Sequence, residues 1–343
     1  MPHPRRILII RPSALGDVCR SVPLLTSLRT AFPRATIDWL VQDSFADAIR
    51  HHPALDNVVA FPRGGLGATS RKGNPFPALA WMNSTLRRRP RYDLVIDAQG
   101  LFRSGLFARW TGASRRVGYR NAAECARVFY NRTIHADRSR HAVDRMRVLL
   151  GSLGINADRD MRLYTDPDAR AWAASQPWSV SRFVVVAPTS RWPGKQWPAE
   201  RFTDLARHLL ASGVERVVVV GGPGERDQIR PLLGWAAGEP RAIDLVGETS
   251  IARLMAVIER SSLVVANDSA ALHMAVGFDR PLVALFGPTR VERVGPYRRE
   301  RDVIQHLRAG DRFDHKDERV GVPMMERITT QEVLEACLAR LRG

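Results

Sequence analysis

Residues 263–289 read LVVANDSAALHMAVGFDRPLVALFGPT, and this stretch decides the fold class. An apolar run, a polar turn, a short helical pattern, a proline and a second apolar run follow one another, as expected of a strand, a helix and a second strand. Asp268 and Ser269 lie where the first strand ends and the helix begins, a position at which backbone N–H groups and the helix dipole favour an anion. His273 follows Ser269 by one helical turn, so both are predicted to face one ligand. The stretch therefore predicts a nucleotide pocket in the C-terminal half.

Apolar runs of the same kind recur along the chain. Continuous Val, Ile and Leu runs indicate parallel strands that are buried on both faces. The candidate strands are Ile7–Ile10, Thr36–Val41, Leu94–Ala98, Phe183–Ala187, Val217–Val220, Leu263–Ala266 and Leu282–Phe286. Helical patterns lie between them, for example Val18–Ala31, Ala199–Ser212 and Ile251–Arg260. The alternation predicts an α/β protein with two doubly wound, Rossmann-like halves.

The length of 343 residues is more typical of two domains than of one. The polar segment 158–179 contains two prolines and is the predicted junction. The predicted organisation is an N-terminal domain 1–165, a linker 166–180, a C-terminal domain 181–325 and a packing helix 326–343. Thr329 and Glu332 form the capping box that opens this last helix, and its apolar residues make one stripe.

Positive charge is concentrated in the N-terminal half. Residues 1–165 carry 27 Lys and Arg against 12 Asp and Glu, whereas residues 166–343 carry 25 against 23, within a net charge of +17. Such a half suits a polyanion, whether nucleic acid, an anionic membrane surface or a phosphorylated substrate, and a solvated arginine-rich surface is the alternative. Nucleic acid is not expected, because no binding motif is recognisable and aromatic residues are few in this half.

The apolar runs are too short for a membrane-spanning helix. Ile7–Ile10, the first of them, is also too short for the apolar region of a signal peptide. We therefore expect a cytoplasmic protein. Cys19, Cys125 and Cys337 are far apart and are predicted to be small buried thiols. No metal site is predicted from the cysteine and histidine spacings.

The first turn between strand and helix, RPSALGD at 11–17, differs from the G-x-G-x-x-G fingerprint, so no dinucleotide cofactor is predicted. Asp17 begins the next helix, whose dipole favours the ionised carboxylate. An ionised carboxylate in an exposed turn can act as a general base. An ordinary helix cap is the alternative for this residue.

Two further loops in the C-terminal half carry candidate ligand contacts. GGPGE at 221–225 follows a strand, and Glu225 suits a ribose diol, with a plain tight connection as the alternative. PTSRWPGKQWP at 188–198 contains two tryptophans, three prolines and Lys195, one of only three lysines in the chain. Such a rigid loop can hold the ammonium group of Lys195 against a phosphate, and the alternative is an exposed lysine.

Together these motifs resemble glycosyltransferase family 9, the ADP-heptose:lipopolysaccharide heptosyltransferases. The resemblance covers nearly the whole chain, and the order and spacing of its motifs make it specific. The motifs are ILIIRPSALGDV at 7–18, YDLVIDAQGLFRS at 92–104, APTSRWPGKQWP at 187–198, VVVVGGPGERD at 217–227, LVGETSIARLMAVIERSSLVVANDSAALHMA at 245–275 and PLVALFGPT at 281–289.

The resemblance implies a GT-B architecture, in which two Rossmann-like domains face a central cleft. It implies inverting transfer of heptose from ADP-heptose to the phosphorylated inner core of lipopolysaccharide, on Kdo–lipid A or heptose, with ADP as product and without a metal or cofactor. By resemblance Asp17 is the base, and Lys195 and the helix near Ser269 bear the charge of the leaving diphosphate. The expected donor-binding residues are Thr189, Ser190, Lys195, Glu225, Thr249, Asp268, Ser269, Ala271 and His273. The expected acceptor-binding residues are Ser13, Arg103 and Arg120, the two arginines mainly because of local charge. The resemblance also implies the cytosolic face of the inner membrane as a further location of the protein.

One residue departs from the family's Asp-Thr/Ser-Gly turn, which reads Asp268-Ser269-Ala270 here. If the turn requires glycine-like geometry, the methyl group of Ala270 alters the donor fit. If position 270 is an ordinary helix start, alanine is harmless, and we favour this interpretation. Two other functions are carried forward: transfer from another nucleotide-sugar to a surface glycan, and, more remotely, nucleic-acid binding.

Overall fold

The computed structural model describes residues 3–65, 74, 76–87 and 91–342. The chain divides into two compact units, Met1–Tyr164 and Thr165–Gly343, and the described residues of each unit are built on one parallel sheet of six strands. None of the helices in the described ranges is long and apolar enough to cross a bilayer.

The first unit alternates strands with helices. Its strands are β1 (Arg6–Ile10), β2 (Thr36–Gln42), β3 (Asn57–Phe61), β4 (Leu94–Asp97), β5 (Arg115–Tyr119) and β6 (Arg132–Ile134). Its helices are α1 (Leu15–Arg20), α2 (Val22–Ala31), α3 (Phe76–Trp81), α4 (Phe102–Trp110) and α5 (Ala142–Gly151). The order of strands across the sheet is β3-β2-β1-β4-β5-β6.

The second unit repeats this arrangement. Its strands are β7 (Phe183–Ala187), β8 (Arg216–Val219), β9 (Ala242–Asp244), β10 (Leu263–Asn267), β11 (Leu282–Leu285) and β12 (Val303–Ile304). Its helices are α6 (Pro167–Ser175), α7 (Ala199–Ala211), α8 (Arg230–Ala236), α9 (Ile251–Arg260), α10 (Ala270–Gly277), α11 (Val291–Val294), α12 (Glu318–Met325) and α13 (Thr330–Arg342). The order of strands is β12-β11-β10-β7-β8-β9.

Both sheets have the doubly wound Rossmann order, which confirms the predicted fold class. The order reverses between β1 and β4 in the first sheet and between β7 and β10 in the second. In sheets of this kind a ligand binds beyond the carboxyl ends of the strands at the reversal. The fold therefore directs attention to the loops that follow these four strands.

The central strands form the core of each sheet. All residues of the segments Ile7–Ile10 and Leu263–Asn267 are completely buried. Each fully buried Val, Leu or Ile side chain stabilises the fold by about 1.5–3 kcal/mol. The reversal points thus lie on the most firmly packed part of each unit.

Five strands were not predicted, namely β3, β5, β6, β9 and β12. They occupy the outer positions of the sheets and are short or mixed in polarity, as in RRVGY and RTI. Continuous apolar runs are expected only for strands buried on both faces. The sequence pattern therefore indicates the middle of each sheet and misses its margins.

The single helix predicted over Val18–Ala31 is two helices, α1 and α2, that meet at Ser21. Pro23 explains the break, because proline has no N–H to donate to the carbonyl four residues earlier. The chain turns there through bonds from Ser21 N to the Val18 carbonyl (3.0 Å) and from Leu24 N to the Ser21 carbonyl (3.0 Å).

The segment predicted to be a linker, 166–180, is largely helical. Ala169 and Ala173 of α6 pack against Ala252 and Ala256 of α9, so the segment belongs to the second unit. In the same unit, α13 packs its buried face against the core.

The predicted capping box of α13 is confirmed. Thr329 N donates to Glu332 Oε1 (2.6 Å) and Glu332 N donates to Thr329 Oγ1 (3.3 Å).

The prediction of three buried thiols is wrong for one of them. Cys19 and Cys337 are buried, and burial raises the pKa of each thiol to about 12. Cys125 is exposed and lies in a turn with a φ of 56°. The spacing of the cysteines carried no information on exposure, which the turn geometry decides.

Candidate active site

The loops after β7 and β10 come together at the reversal of the second sheet. Thr189 and Ser190 follow β7, and Asp268 and Ser269 follow β10, which pairs with β7 in parallel. The Ser190 hydroxyl donates to the Asp268 carbonyl (3.4 Å). Thr189 and Ser190 are 6% and 5% exposed. The structure thus brings together two pairs of residues that lie almost 80 positions apart in the sequence.

Lys195 lies in this cluster and is paired with Asp268. Its ammonium group is 2.6 Å from Asp268 Oδ2, and the two side chains are only 15% and 9% exposed. The alternative of an exposed lysine is therefore wrong. An ammonium group has three donors, so Lys195 can bind Asp268 and an anionic ligand at the same time.

Side-chain amides hold both ends of the loop that carries Lys195. Gln196 Nε2 donates to the Ser190 carbonyl (2.8 Å) and to Gln228 Oε1 (3.0 Å). Asn267 Nδ2 donates to the Pro188 carbonyl (2.5 Å), and its Oδ1 accepts from Trp197 N (3.2 Å). Gln196, Gln228 and Asn267 were not predicted from the sequence, because their hydrogen-bond partners are distant in sequence or are backbone atoms.

The N-terminus of α10 points its free amides into the same region. Ser269 is the N-cap residue, with φ −141° and ψ 179°, and its hydroxyl makes no capping bond. Ala270 is the first helical residue and is not among the described non-glycine residues with positive φ. Glycine-like geometry is therefore not needed at this position. The first-turn N–H groups have no partner within the helix, which suits them to an anion.

Two of the predicted donor-binding residues on α10 are almost completely buried. His273 is 4% exposed and Ala271 is 6% exposed. His273 lies one turn inside the helix, as expected, but most of its imidazole surface packs within the second unit. A ligand at the helix start would meet only a small part of either side chain.

The turn after β8 closes on itself through Glu225. Its Oε2 accepts the N–H of Gly222 (2.6 Å), so one carboxylate oxygen stabilises the turn. This bond fits the alternative of a tight connection. Gly221 lies against Thr189, since a Cβ atom there would be 3.2 Å from the threonine hydroxyl. Thr249 is half-buried just before α9.

A segment before α12 reaches the same loop and was not predicted. The rings of His315 and Trp192 meet edge-on with centroids 5.8 Å apart, and Lys316 Nζ lies 5.6 Å from the Trp192 centroid. Burial lowers the pKa of His315, the charge of Lys195 lowers it further, and Asp268 opposes them. Lys195 is also close to this tryptophan, because its backbone N–H donates to the Trp192 carbonyl (2.9 Å). The scarcity of lysine was the one signal that could have identified Lys316.

The segment is held in place by an ion pair and by two glycines. Arg327 forms a two-point pair with Asp311, at 2.5 Å and 2.9 Å. A Cβ atom on Gly321 would be 2.4 Å from the Cα of Gly194, which shows how closely α12 approaches the loop of Lys195.

In the first unit, Asp17 lies at the reversal between β1 and β4 and is held by two arginines. Its Oδ2 is 3.1 Å from Arg11 Nη2, and its Oδ1 is in close contact with Arg20. Burial would raise the pKa of Asp17, but the charges of Arg11 and Arg20 outweigh burial and hold it well below the usual range. The carboxylate is a quarter exposed and ionised.

The loops after β1 and β4 are joined beside Asp17. Ser13 N donates to Gln99 Oε1 (3.3 Å), and Arg11 Nη1 donates to the Ala98 carbonyl (2.5 Å). The buried Asp97 shapes the second loop by accepting from the N–H groups of Gln99 and Gly100 and from the Tyr130 hydroxyl (2.6 Å). Burial raises the pKa of Asp97, against the influence of those bonds.

The two predicted acceptor arginines are exposed on the same unit. Arg103 lies in the first turn of α4, with its guanidinium carbon 5.8 Å from the centroid of the Phe61 ring. Arg120 follows β5, and its backbone N–H bonds the Ile134 carbonyl (2.8 Å). Both remain predictions as acceptor contacts. Among the described residues, no group of three or more His, Cys, Asp or Glu side chains is placed to hold a metal.

The family profile and the similar proteins indicate the same family. The profile of glycosyltransferase family 9 (heptosyltransferase) matches residues 82–320. Lipopolysaccharide heptosyltransferase 1 of Pseudomonas aeruginosa is 30% identical over 314 residues, which cover 86% of this chain and 82% of the relative. The protein of the same name from Escherichia coli K12 is 28% identical over 307 residues, covering 85% and 91%.

The fold is similar to that of solved structures over nearly the whole chain. The structure of E. coli heptosyltransferase WaaC with ADP has a TM-score of 0.77 at 26% identity, covering 98% of this chain and 99% of that chain. A glycosyltransferase of family 9 from Veillonella parvula has a TM-score of 0.83 at 22% identity, covering 98% and 97%.

Proposed function

The chain belongs to glycosyltransferase family 9, the heptosyltransferases, and from this premise we propose that it transfers heptose from ADP-heptose to the phosphorylated inner core of lipopolysaccharide. The observation that carries the proposal is the cluster at the reversal of the second sheet. There Lys195, the Thr189–Ser190 turn and the start of α10 meet at one point. Such a cluster can bind a diphosphate through one ammonium group and several backbone amides.

The donor side follows from this cluster and from the relatives. E. coli heptosyltransferase WaaC has been solved with ADP and with ADP-2-deoxy-2-fluoro heptose. In our proposal Lys195 and the amides of α10 take up the charge that develops on the departing diphosphate. They do so without a metal ion. Asp268 orients Lys195, and Glu225 receives the ribose hydroxyls with the oxygen that the Gly222 bond leaves uncommitted.

The acceptor side belongs to the first unit. Asp17 removes the proton of the acceptor hydroxyl, the oxygen attacks the anomeric carbon, the configuration inverts, and ADP leaves. Ser13, Arg103 and Arg120 contact the phosphates or carboxylates of the acceptor. As Arg11 and Arg20 now hold it, Asp17 is a weak base, and general-base catalysis is most effective when the pKa lies near the working pH. An acceptor anion that draws one of these arginines away would strengthen it.

Two variants separate the roles of the two units. Asp17→Asn should abolish transfer and leave ADP affinity unchanged, because its carboxylate lies in the first unit. Lys195→Ala should weaken ADP binding about tenfold or more, the effect of losing one charged hydrogen bond. Arg191→Ala, an exposed neighbour in the same loop, is the matched control. The readouts are ADP release with a Kdo–lipid A acceptor in EDTA, and calorimetric titration with ADP.

Several outcomes would contradict the proposal. Loss of ADP affinity in Asp17→Asn would remove its assignment as the base, and an absolute need for Mg²⁺ would refute the metal-free mechanism. The alternative, another nucleotide-sugar donor, is tested by thermal shifts with ADP, UDP, GDP and CMP, since each ligand raises stability according to its affinity. A larger shift with UDP or GDP than with ADP would favour that alternative.

A further inference from the structure

Exposed apolar side chains form a patch on the first unit, where α4 packs against the short 3-10 helix Ala126–Phe129. Phe102 is 49% exposed and Val128 is 66% exposed. The rings of Phe102 and Phe129 meet edge-on with centroids 5.1 Å apart, which brings the two segments together. We call Phe102, Val128 and Phe129 the apolar patch. Neighbouring exposed apolar side chains that are rimmed by polar residues are typical of an interaction site.

Positive charge surrounds the apolar patch. The sequence 101–129 contains six arginines and a single acidic residue, Glu124. Arg103, Arg109 and Arg127 are exposed, and Arg116 Nε donates to the carbonyl of Phe129 within the patch (3.0 Å). The carboxylate of Glu124 accepts the N–H of Phe102 (3.1 Å) and so caps α4. The surface that flanks the patch is therefore strongly cationic.

We propose that the apolar patch inserts into the surface of an anionic lipid bilayer while the surrounding arginines contact its head groups. Apolar side chains bordered by basic ones are the pattern of proteins that bind at the membrane interface. Nucleic acid would satisfy the arginines but would gain nothing from burying Val128. An anionic bilayer satisfies both features at once.

The apolar patch lies close to the acceptor-side residues. Phe102 follows Gln99 by three residues, and a chain of that length spans at most roughly 11 Å. The side chain of Gln99 in turn accepts the N–H of Ser13. Insertion would therefore hold Ser13 and the neighbouring Asp17 near the lipid surface. The biological value of this placement rests on the proposed function, because the acceptor proposed above is a membrane lipid.

Vesicle flotation tests the proposal without any substrate. The full-length protein should float with vesicles of phosphatidylcholine and phosphatidylglycerol, and not with phosphatidylcholine alone. Val128→Ser should lower the partition coefficient by about tenfold, the effect expected for one buried apolar side chain. Arg127→Glu should lower it by about 30-fold, because an attraction becomes a repulsion. Val180→Ser is the matched control, since Val180 is 84% exposed on the second unit and should not change flotation.

Thermal unfolding first establishes that each variant is folded. Equal flotation of Val128→Ser and the wild type would overturn the proposal, as would an equal loss in Val180→Ser. Binding that is independent of phosphatidylglycerol, or DNA binding that is tighter than vesicle binding, would overturn it too. Failure of heptose transfer would leave the flotation result standing, so the two proposals fail separately.

Discussion

Asp17 shows how one side chain can satisfy two opposing demands. A base must be ionised to accept a proton, and Arg11 and Arg20 ensure that Asp17 is ionised. The same arginines lower its affinity for that proton. From the lowered pKa of Asp17 we therefore expect a specific pH dependence of the reaction.

The wild-type rate should stay flat below about pH 5, in the range where an unperturbed aspartate, with a pKa near 3.9, would lose activity. Asp17 works in its ionised form, so a lowered pKa moves the acidic limb of the kcat profile to lower pH. Arg20→Gln should raise the pKa of Asp17 and move the limb upward, into the range of about pH 5 to 3. The measurement is kcat against pH in short assays at saturating substrates.

Arg29→Gln is the control for this prediction. Arg29 pairs with Asp56 at 2.5 Å in the same unit, outside the group around Asp17. The Arg29→Gln variant loses an arginine–aspartate pair but should keep the wild-type profile of kcat against pH. An acidic limb that is identical in Arg20→Gln and in the wild type would show that Asp17 does not limit the reaction at low pH.

At the scale of elements, the loop of Lys195 depends on its contact with α12. Gly194 and Gly321 lie so close that a Cβ atom on Gly321 would clash with the Gly194 backbone at 2.4 Å, and one on Gly194 would be 3.2 Å from the Gly321 Cα. The Asp311–Arg327 pair fixes the segment that leads into this helix. The position of Lys195 is therefore set by residues more than a hundred positions away.

Gly321→Ala should disturb this contact. Its Cβ would be 2.4 Å from the backbone of Gly194, so α12 or the loop must move, at a cost of about 1–3 kcal/mol. ADP binding should weaken because Lys195 moves with the loop. Gly234→Ala is the control: it lies inside α8 with nothing within 4 Å of the added methyl, and it should be neutral or stabilise the helix by up to about 1 kcal/mol. Thermal unfolding and calorimetric titration with ADP measure both effects. Equal ADP affinity in the two variants would show that α12 does not position Lys195.

The same elements show which features can be predicted from the sequence and which cannot. The central strands and the loops at their ends were predictable, because buried parallel strands leave continuous apolar runs and glycine, proline and polar residues mark the turns. Thr189, Lys195 and Asp268 were found in this way. Gln228 and Asn267 were not, because their importance comes from hydrogen bonds between segments distant in sequence. The pairing of Lys195 with Asp268 likewise depends on the parallel pairing of β7 and β10, which no local pattern specifies.

For the whole molecule, the uneven charge distribution defines how the chain responds to acid. The first unit, whose residues 1–164 carry 27 Lys and Arg against 12 Asp and Glu, becomes still more positive as carboxylates protonate. Self-repulsion of this kind destabilises a compact state and is screened by salt. The unit also contains a buried histidine whose response to acid does not depend on such screening.

His52 is 4% exposed, and its ring meets that of Tyr164 edge-on with centroids 4.8 Å apart. Burial lowers its pKa to about 4, although nearby Asp160 favours the charged form. The folded state therefore binds a proton less readily than the unfolded state, in which the pKa is about 6.5. Its stabilising contribution is complete above pH 6.5 and is lost as the pH falls from there to about 4. The loss should amount to about 3 kcal/mol, from a shift of about 2.5 units at 1.36 kcal/mol each.

This pH dependence can be tested by urea unfolding monitored by hydrogen exchange. Peptides from residues 1–164 and from residues 165–343 then report the stability of each unit separately. The first unit should lose stability between pH 7 and 4 even in high salt, which removes the repulsion but not the cost of charging a buried ring. His52→Asn should remove that remaining loss, because asparagine does not titrate and can still accept the Ala54 N–H that His52 Nδ1 accepts at 3.1 Å. His51→Asn, an exposed neighbour, should keep the wild-type dependence. If His52→Asn retained the full loss in high salt, the acid sensitivity would have to come from other groups in the unit.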